Sequence, residues 1–297
     1  MEKLHDFIIS KKNLYLLLEY KKKFRDNFET SSPIILKSIL SNGEVDSAVS
    51  YFQRSECYCA HVPQYAQKIL SVPDLNTDYP YLSYDIKTSL KCEELRKIIN
   101  NKCIKDIVSD ELGTKKINLY SINTFWTINN KSEHFTHGFH RDEDGINFVT
   151  VFVNLTDTKE NDGHFEYIKN TANPRELIAK LDEKKINPQD FYNINPNSTN
   201  GYYKNDYYTE IFGPPVIVAM NAGSVCISDT WGLHRGTPVK KNRLVSWLRF
   251  SDGPNTAYRH DSNRLKIGEF MNMPEHVRSE LLSDSIYEII VPNGINL

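Results

Sequence analysis

The sequence predicts a mainly β fold, a double-sheet jelly roll with helices from the first third of the chain packed on one side. Three observations carry this. Beyond Gly113 the text is dense in short runs of β-branched and aromatic residues separated by Gly, Asn and Pro: 116–128, 146–155, 164–169, 215–220, 223–229, 243–250 and 286–291. Many short strands with turn residues between them argue for a sandwich or barrel. Before Gly113 the apolar residues recur at helical spacing instead. Finally, 297 residues with 39% hydrophobic and 25% charged side chains suffice for a large core. The chain is therefore read as one domain, 1–297: a mostly helical part (1–112), a jelly-roll core (113–252) and a C-terminal extension (253–297).

In chain order, residues 2–29 place Leu4, Phe7, Ile8, Leu14 and Phe24 between runs of lysine, the pattern of amphipathic helices docked on the main body. From Ser31 to Asp85 short helical patterns alternate with prolines, and 71–85 reads as an irregular connection. Residues 89–110 are helical again, with Leu90, Leu95, Ile98, Ile99, Ile104 and Ile107. Within the core, 173–212 interrupts the strands with a helix at Pro174–Glu183 and a polar, tyrosine-rich loop. A loop of this length is expected to be a lid, a binding loop or disordered; its length and its tyrosines, Tyr192, Tyr202, Tyr203, Tyr207 and Tyr208, make it the candidate lid over a bound molecule.

Composition excludes several classes. A net charge of −2 gives no global attraction to nucleic acid or an anionic membrane. No segment approaches the roughly eighteen apolar residues of a membrane span. Met-Glu-Lys-Leu-His-Asp lacks the basic and apolar regions of a leader, and five cysteines without a repeating spacing suit a reduced, cytoplasmic setting. Cys57, Cys59 and His61 lack a second ligand pair, so they read as structural or incidental.

Chemistry concentrates in two stretches. Ser132–Leu155 (SEHFTHGFHRDEDGINFVTVFVNL) holds His140-Arg141-Asp142. Residues two apart on a strand share a face, so one imidazole and one carboxylate can aim at a common point. Gly223–Phe250 holds His234 between two strand-like runs and Arg243 at the start of the second. Two imidazoles and a carboxylate with open positions left over suit non-haem Fe(II). Bland readings stand beside this one: HRDEDG as a surface turn, His234 as a core histidine satisfied by Asp229 or the backbone, Arg243 as a salt-bridge partner. Trp247 reads as core and Glu166 as structural. His134 and His137 read as non-ligands, with contact to substrate or to a ligand as their further possibility.

In order along the chain, His140-x-Asp142, Gly163-His164-Phe165-Glu166-Tyr167-Ile168, Gly223-Ser224-Val225, Asp229, His234 and Arg243 resemble the phytanoyl-CoA dioxygenase-like group of Fe(II)/2-oxoglutarate-dependent oxygenases. The resemblance covers roughly 115–252. It implies a cupin-like double-stranded β-helix, iron held by His140, Asp142 and His234, and O2 and 2-oxoglutarate as co-substrates. It further implies an arginine for the far carboxylate of 2-oxoglutarate. Arg243 is the first choice and Arg249, on the same strand face, the second, with Thr237 as an added hydroxyl contact. Iron halogenases of related design lack the carboxylate ligand, so Asp142 favours hydroxylation or another oxidative C–H transformation over halogenation.

The expected function is thus hydroxylation of a small polar metabolite or natural-product intermediate, with succinate and CO2 formed. Two other readings stay open: a cupin-like metalloenzyme that does not use 2-oxoglutarate, and a non-catalytic jelly-roll binding module.

Overall fold

A computed structural model of the chain describes residues 32–59, 69–129, 137–142, 144, 147–187, 206–252 and 275. The helix expected over 2–29, the strand at 286–291, His61, His134, the middle of the 173–212 insertion and nearly all of 253–297 lie outside the described residues.

Eleven described strands form two antiparallel sheets. They are β1 (Ile34–Leu36), β2 (Cys57–Cys59), β3 (Ile69–Leu70), β4 (Tyr81–Tyr84), β5 (Asn118–Thr127), β6 (Phe148–Asn154), β7 (Phe165–Tyr167), β8 (Val216–Val218), β9 (Val225–Ser228), β10 (His234–Gly236) and β11 (Arg243–Ser251). Eight of them run in the order β1-β9-β6-β11-β5-β4-β2-β3, and three in the order β10-β7-β8. At the centre, β11 pairs along its whole length with both β5 and β6.

Strand alternation gives the large sheet two unlike faces. One carries Leu244, Leu248 and Phe250 of β11, with Ile122 and Trp126 of β5 and Val149, Val151 and Val153 of β6. Against it pack the helices α1 (Asn42–Gln53), α2 (Ile86–Lys91), α3 (Glu93–Ile99) and α4 (Lys102–Leu112) through Phe52, Leu90, Leu95, Ile98, Ile104 and Val108. The helices end where the sequence punctuates them. Ser41 and Glu44 form a capping box on α1, Asp85 and Asn101 cap α2 and α4, and Gly113 closes α4 in the left-handed conformation. The other face carries Arg243, Val245, Trp247 and Arg249 of β11, opposite Thr127, Phe125, Asn123 and Ser121 of β5. It meets the small sheet where the Phe152 ring packs on Phe165, 5.0 Å between centroids.

The first third is richer in strand than its helical pattern suggested. β1 forms one edge of the large sheet, and β4, β2 and β3 extend the other; β4 occupies the end of the supposed irregular connection 71–85. Strands of two to four residues are too short for a period-two pattern to register. In the insertion, α5 (Pro174–Glu183) forms as expected, with Asn173 accepting from the Arg175 and Glu176 amides. Asp206–Phe212, expected as loop, is a further helix, α6. Its Tyr208 and Ile211 are buried with Leu177, Leu181, Trp231 and Leu233. Tyr208 is therefore a core residue that holds the insertion against the chain leading into His234.

Gly223 joins the two halves of this arrangement. Its φ is +81°, and a Cβ there would lie 2.4 Å from the Leu40 carbonyl oxygen, which is backbone and cannot swing aside. The Gly223 carbonyl also accepts from the Leu40 amide at 3.0 Å. Gly223→Ala is expected to cost about 3 kcal/mol through strain and displacement of that contact, read as a lower denaturant midpoint.

Candidate metal centre

His140, Asp142 and His234 converge. His140 and His234 form an antiparallel bridge in which each amide donates to the other's carbonyl at 2.9 Å. Two residues on, the Asp142 amide donates to the Thr230 carbonyl, also at 2.9 Å. Residues 140–142 thus lie alongside 230–234 without forming a longer strand. Arg141 turns away, its guanidinium over the Trp231 ring at 4.7 Å. One nitrogen or oxygen donor atom from each of His140, Asp142 and His234 lies within 4.8 Å of the others, a spacing that could hold a metal ion. At Asp142 the string HRDEDG is not at the surface: its side chain is 15% exposed.

Both imidazoles are set for a cation by the same local device. His140 Nδ1 lies 2.9 Å from the Gly138 carbonyl, and His234 Nδ1 lies 2.9 Å from the Gly232 carbonyl. A carbonyl only accepts, so each Nδ1 carries a proton, and in a neutral imidazole so held Nε2 is the atom with the lone pair. The spacing is Gly-x-His in both places. Gly232 tolerates no side chain, since a Cβ would sit 2.2 Å from the Tyr167 hydroxyl.

Charge is tuned the same way. Burial pulls His234 down to about 4, with His140 adding to the effect, so its imidazole is neutral near pH 7. Burial alone would raise Asp142, but Arg249 first, then His234 and His140, hold it down at about 2. Measured without metal, stability should therefore depend on acid. The unfolded His234 takes a proton near 6.5 and the folded one only near 4, so stability is full above 6.5 and falls as pH drops toward 4. Asp142 extends the loss between 3.8 and about 2. Thermal melting between pH 7 and 4 should show this decline, and His234→Gln should flatten its upper part.

The sequence-selected arginines have different surroundings. Arg243 opens β11 with its guanidinium Nη1 donating to the Gly163 carbonyl and Nη2 to Thr127 Oγ1 at 3.2 Å. Its Nε is buried with no partner, and among the described residues it makes no ion pair. Burial pushes its pKa down. Arg249 is committed: Nη2 donates to Asp142 Oδ2 at 2.8 Å and Nη1 to Asp144 Oδ2. Thr237 Oγ1 lies 3.1 Å from both His164 Nδ1 and the His164 carbonyl oxygen. Trp247 is not core. It lies on the same face as both arginines, with the Arg249 guanidinium stacked 4.2 Å above its ring. Glu166 takes hydrogen bonds from Arg235 at 2.7 Å and His164 at 2.9 Å, as a structural residue would. His137 is not in the ligand cluster.

Sequence reasoning missed Asp144, Tyr120 and the two Gly-x-His carbonyls. The repeated Gly-x-His was a readable signal; Asp144 was hidden in a string that looked like a turn.

No family model matches the chain, and no curated protein matches it. Solved structures do resemble it. The epimerase SnoN, in complex with Fe3+, α-ketoglutarate and nogalamycin RO, is 12% identical over 83% of this chain and 90% of its own, with a TM-score of 0.50. HygX from Streptomyces hygroscopicus, with nickel and 2-oxoglutarate bound, is 13% identical over 82% and 90%, with a TM-score of 0.46. The non-heme α-ketoglutarate-dependent carbocyclase SnoK from nogalamycin biosynthesis is 15% identical over 80% and 84%, with a TM-score of 0.45. The likeness to SnoN is one of fold.

Proposed function

We propose that this chain is a non-haem Fe(II)/2-oxoglutarate-dependent oxygenase on a double-stranded β-helix, hydroxylating a small polar molecule. The carrying observation is the cluster itself: two imidazoles each fixed through Nδ1 by a backbone carbonyl and one carboxylate held ionised, with donor atoms within 4.8 Å of one another. Such nitrogen and oxygen donors suit Fe(II), and three protein ligands leave three positions for a bidentate 2-oxo acid and O2. The site fits the co-substrate on a second count. Arg243 is a shielded cation with an unpaired Nε, and a guanidinium fork matches a carboxylate. The fold shared with SnoN, an α-ketoglutarate complex, agrees with this.

The roles divide as follows. His140, Asp142 and His234 hold the iron, and Gly138 and Gly232 set the imidazole tautomers. Arg243 anchors the far carboxylate of 2-oxoglutarate. Thr237 supports it indirectly by holding the backbone of His164, next to the Gly163 carbonyl that Arg243 grips. Bound iron supplies the oxidation, in which O2 and 2-oxoglutarate yield succinate, CO2 and a hydroxylated substrate. The protein fixes one C–H bond over that centre and keeps water out. No described helix is long and apolar enough to cross a membrane; a cytoplasmic location, no nucleic-acid partner and the resemblance to the phytanoyl-CoA dioxygenase-like group belong to this same reading.

Anaerobic titration with Fe(II) and then 2-oxoglutarate tests it. A weak visible charge-transfer band on adding 2-oxoglutarate is expected. Iron binding without the band would favour the cupin-like reading without 2-oxoglutarate, and no iron binding would favour the binding module.

A further inference from the structure

Resting on the iron reading above, we infer that Arg249 is a positioning residue for the metal carboxylate, held in place by Asp144, Tyr120 and Trp247. The geometry ties four parts of the chain to one guanidinium. Its Nη2 grips Asp142 Oδ2 at 2.8 Å, the same oxygen that lies 3.8 Å from His234 Nε2. Its Nη1 grips Asp144, and the Tyr120 hydroxyl donates to that same Asp144 oxygen at 3.0 Å. Its plane stacks on Trp247 at 4.2 Å.

A β-bulge makes this possible. Arg249 pairs with Ser121, but Phe250 pairs with Leu119, so β5 carries one extra residue at Tyr120. Ile122 and Leu119 both stay in the helix-facing core, while Tyr120 is turned to the pocket side, where it packs with Phe139, Phe148 and Trp231. Regular alternation would have pointed its hydroxyl away from Asp144.

A carboxylate free to rotate can offer a cation either one oxygen or both. Arg249 fixes the Asp142 group from one side, and the Asp142 amide is fixed by Thr230 from the other. Held this way, Asp142 presents one oxygen, and the positions that a chelating 2-oxo acid needs stay open. Asp144 takes the other Nη of the guanidinium and so keeps the fork turned toward Asp142. This weighs against Arg249 as the co-substrate anchor, because both its Nη groups face aspartates already, whereas Arg243 makes no ion pair among the described residues.

The test uses the full chain under anaerobic conditions, titrated with Fe(II) and then with either 2-oxoglutarate or pyruvate, which chelates alike but lacks the far carboxylate. Wild type, Arg249→Gln, Arg249→Lys and Asp144→Asn are compared, with melting curves for each. Arg249→Gln and Asp144→Asn are expected to bind iron within about tenfold of wild type. Their affinity for both 2-oxo acids should fall by about ten- to a hundredfold in the same proportion, with a shifted charge-transfer band. Arg249→Lys should lie between. If Arg249→Gln weakens 2-oxoglutarate but not pyruvate, or Asp144→Asn strengthens 2-oxoglutarate binding, Arg249 is an anchor and the inference is overturned. Unchanged affinity in Asp144→Asn overturns it too, and that variant decides the matter should Arg249→Gln not fold. Wild-type protein that binds no iron would instead remove the iron reading, and this inference with it.

Discussion

His234→Ala is expected to lose iron and, with it, all turnover of 2-oxoglutarate. The substitution takes away one of three donor atoms and leaves the other two unable to close the site. Loss of a group that merely orients a ligand typically costs ten- to a hundredfold in metal affinity, so loss of the ligand itself should exceed about a hundredfold. The fold should survive. The bridge between His140 and His234 is made by main-chain atoms, each amide donating to the other carbonyl at 2.9 Å, and alanine keeps both. Burial disfavours the charged imidazole at this position, so its removal leaves no uncompensated charge. Iron stoichiometry after gel filtration, beside a melting curve, separates loss of the ligand from loss of the protein. His137→Ala serves as the control and should keep its iron, because His137 is not in the ligand cluster. Full iron in His234→Ala would sink the ligand assignment.

The His140, Asp142 and His234 cluster was legible because each member has a type that chemistry constrains and a neighbour that repeats the pattern. His140-x-Asp142 and a distant His234 stand out as residues, and the structure brings their donor atoms within 4.8 Å. The long central strands were legible too: β5, β6 and β11 each span seven residues or more, enough for alternation to show. Short pieces were not. β10 is three residues long, and its strand character comes from pairing with β7 rather than from its own composition. Trp247 was misread because a tryptophan in an apolar run looks like core; only register with Arg249 reveals the pocket face. Asp144 and Tyr120 were invisible for a related reason. One lies in a polar string with no periodicity, and the other reaches the site through a bulge, which shifts the parity that sequence reading relies on.

Arg243→Ala is expected to bind iron as the wild type does while weakening 2-oxoglutarate on the order of a hundredfold or more. Truncating one partner of a buried charged pair costs roughly 2–5 kcal/mol. A shielded guanidinium without an ion pair is costly to hold, yet Arg243 is held: Gly163 takes Nη1 through its carbonyl, and Thr127 takes Nη2. Gly163 allows this approach. Its φ is +68°, and a Cβ there would fall 2.7 Å from Val239 and 3.4 Å from the Arg243 side chain. The two bonds fix the fork and leave Nε without a partner, a geometry that lysine cannot reproduce with a single ammonium. Arg243→Lys should accordingly recover only part of the affinity. The effect must also depend on the ligand's second carboxylate. In Arg243→Ala, pyruvate should bind the iron form as it does in wild type, whereas 2-oxoglutarate should fall to the level of pyruvate. Equal loss for both acids would mean that Arg243 acts on the iron end of the pocket. No loss for either would leave the cation without a ligand to serve and turn the argument toward a metal site that does not use 2-oxoglutarate.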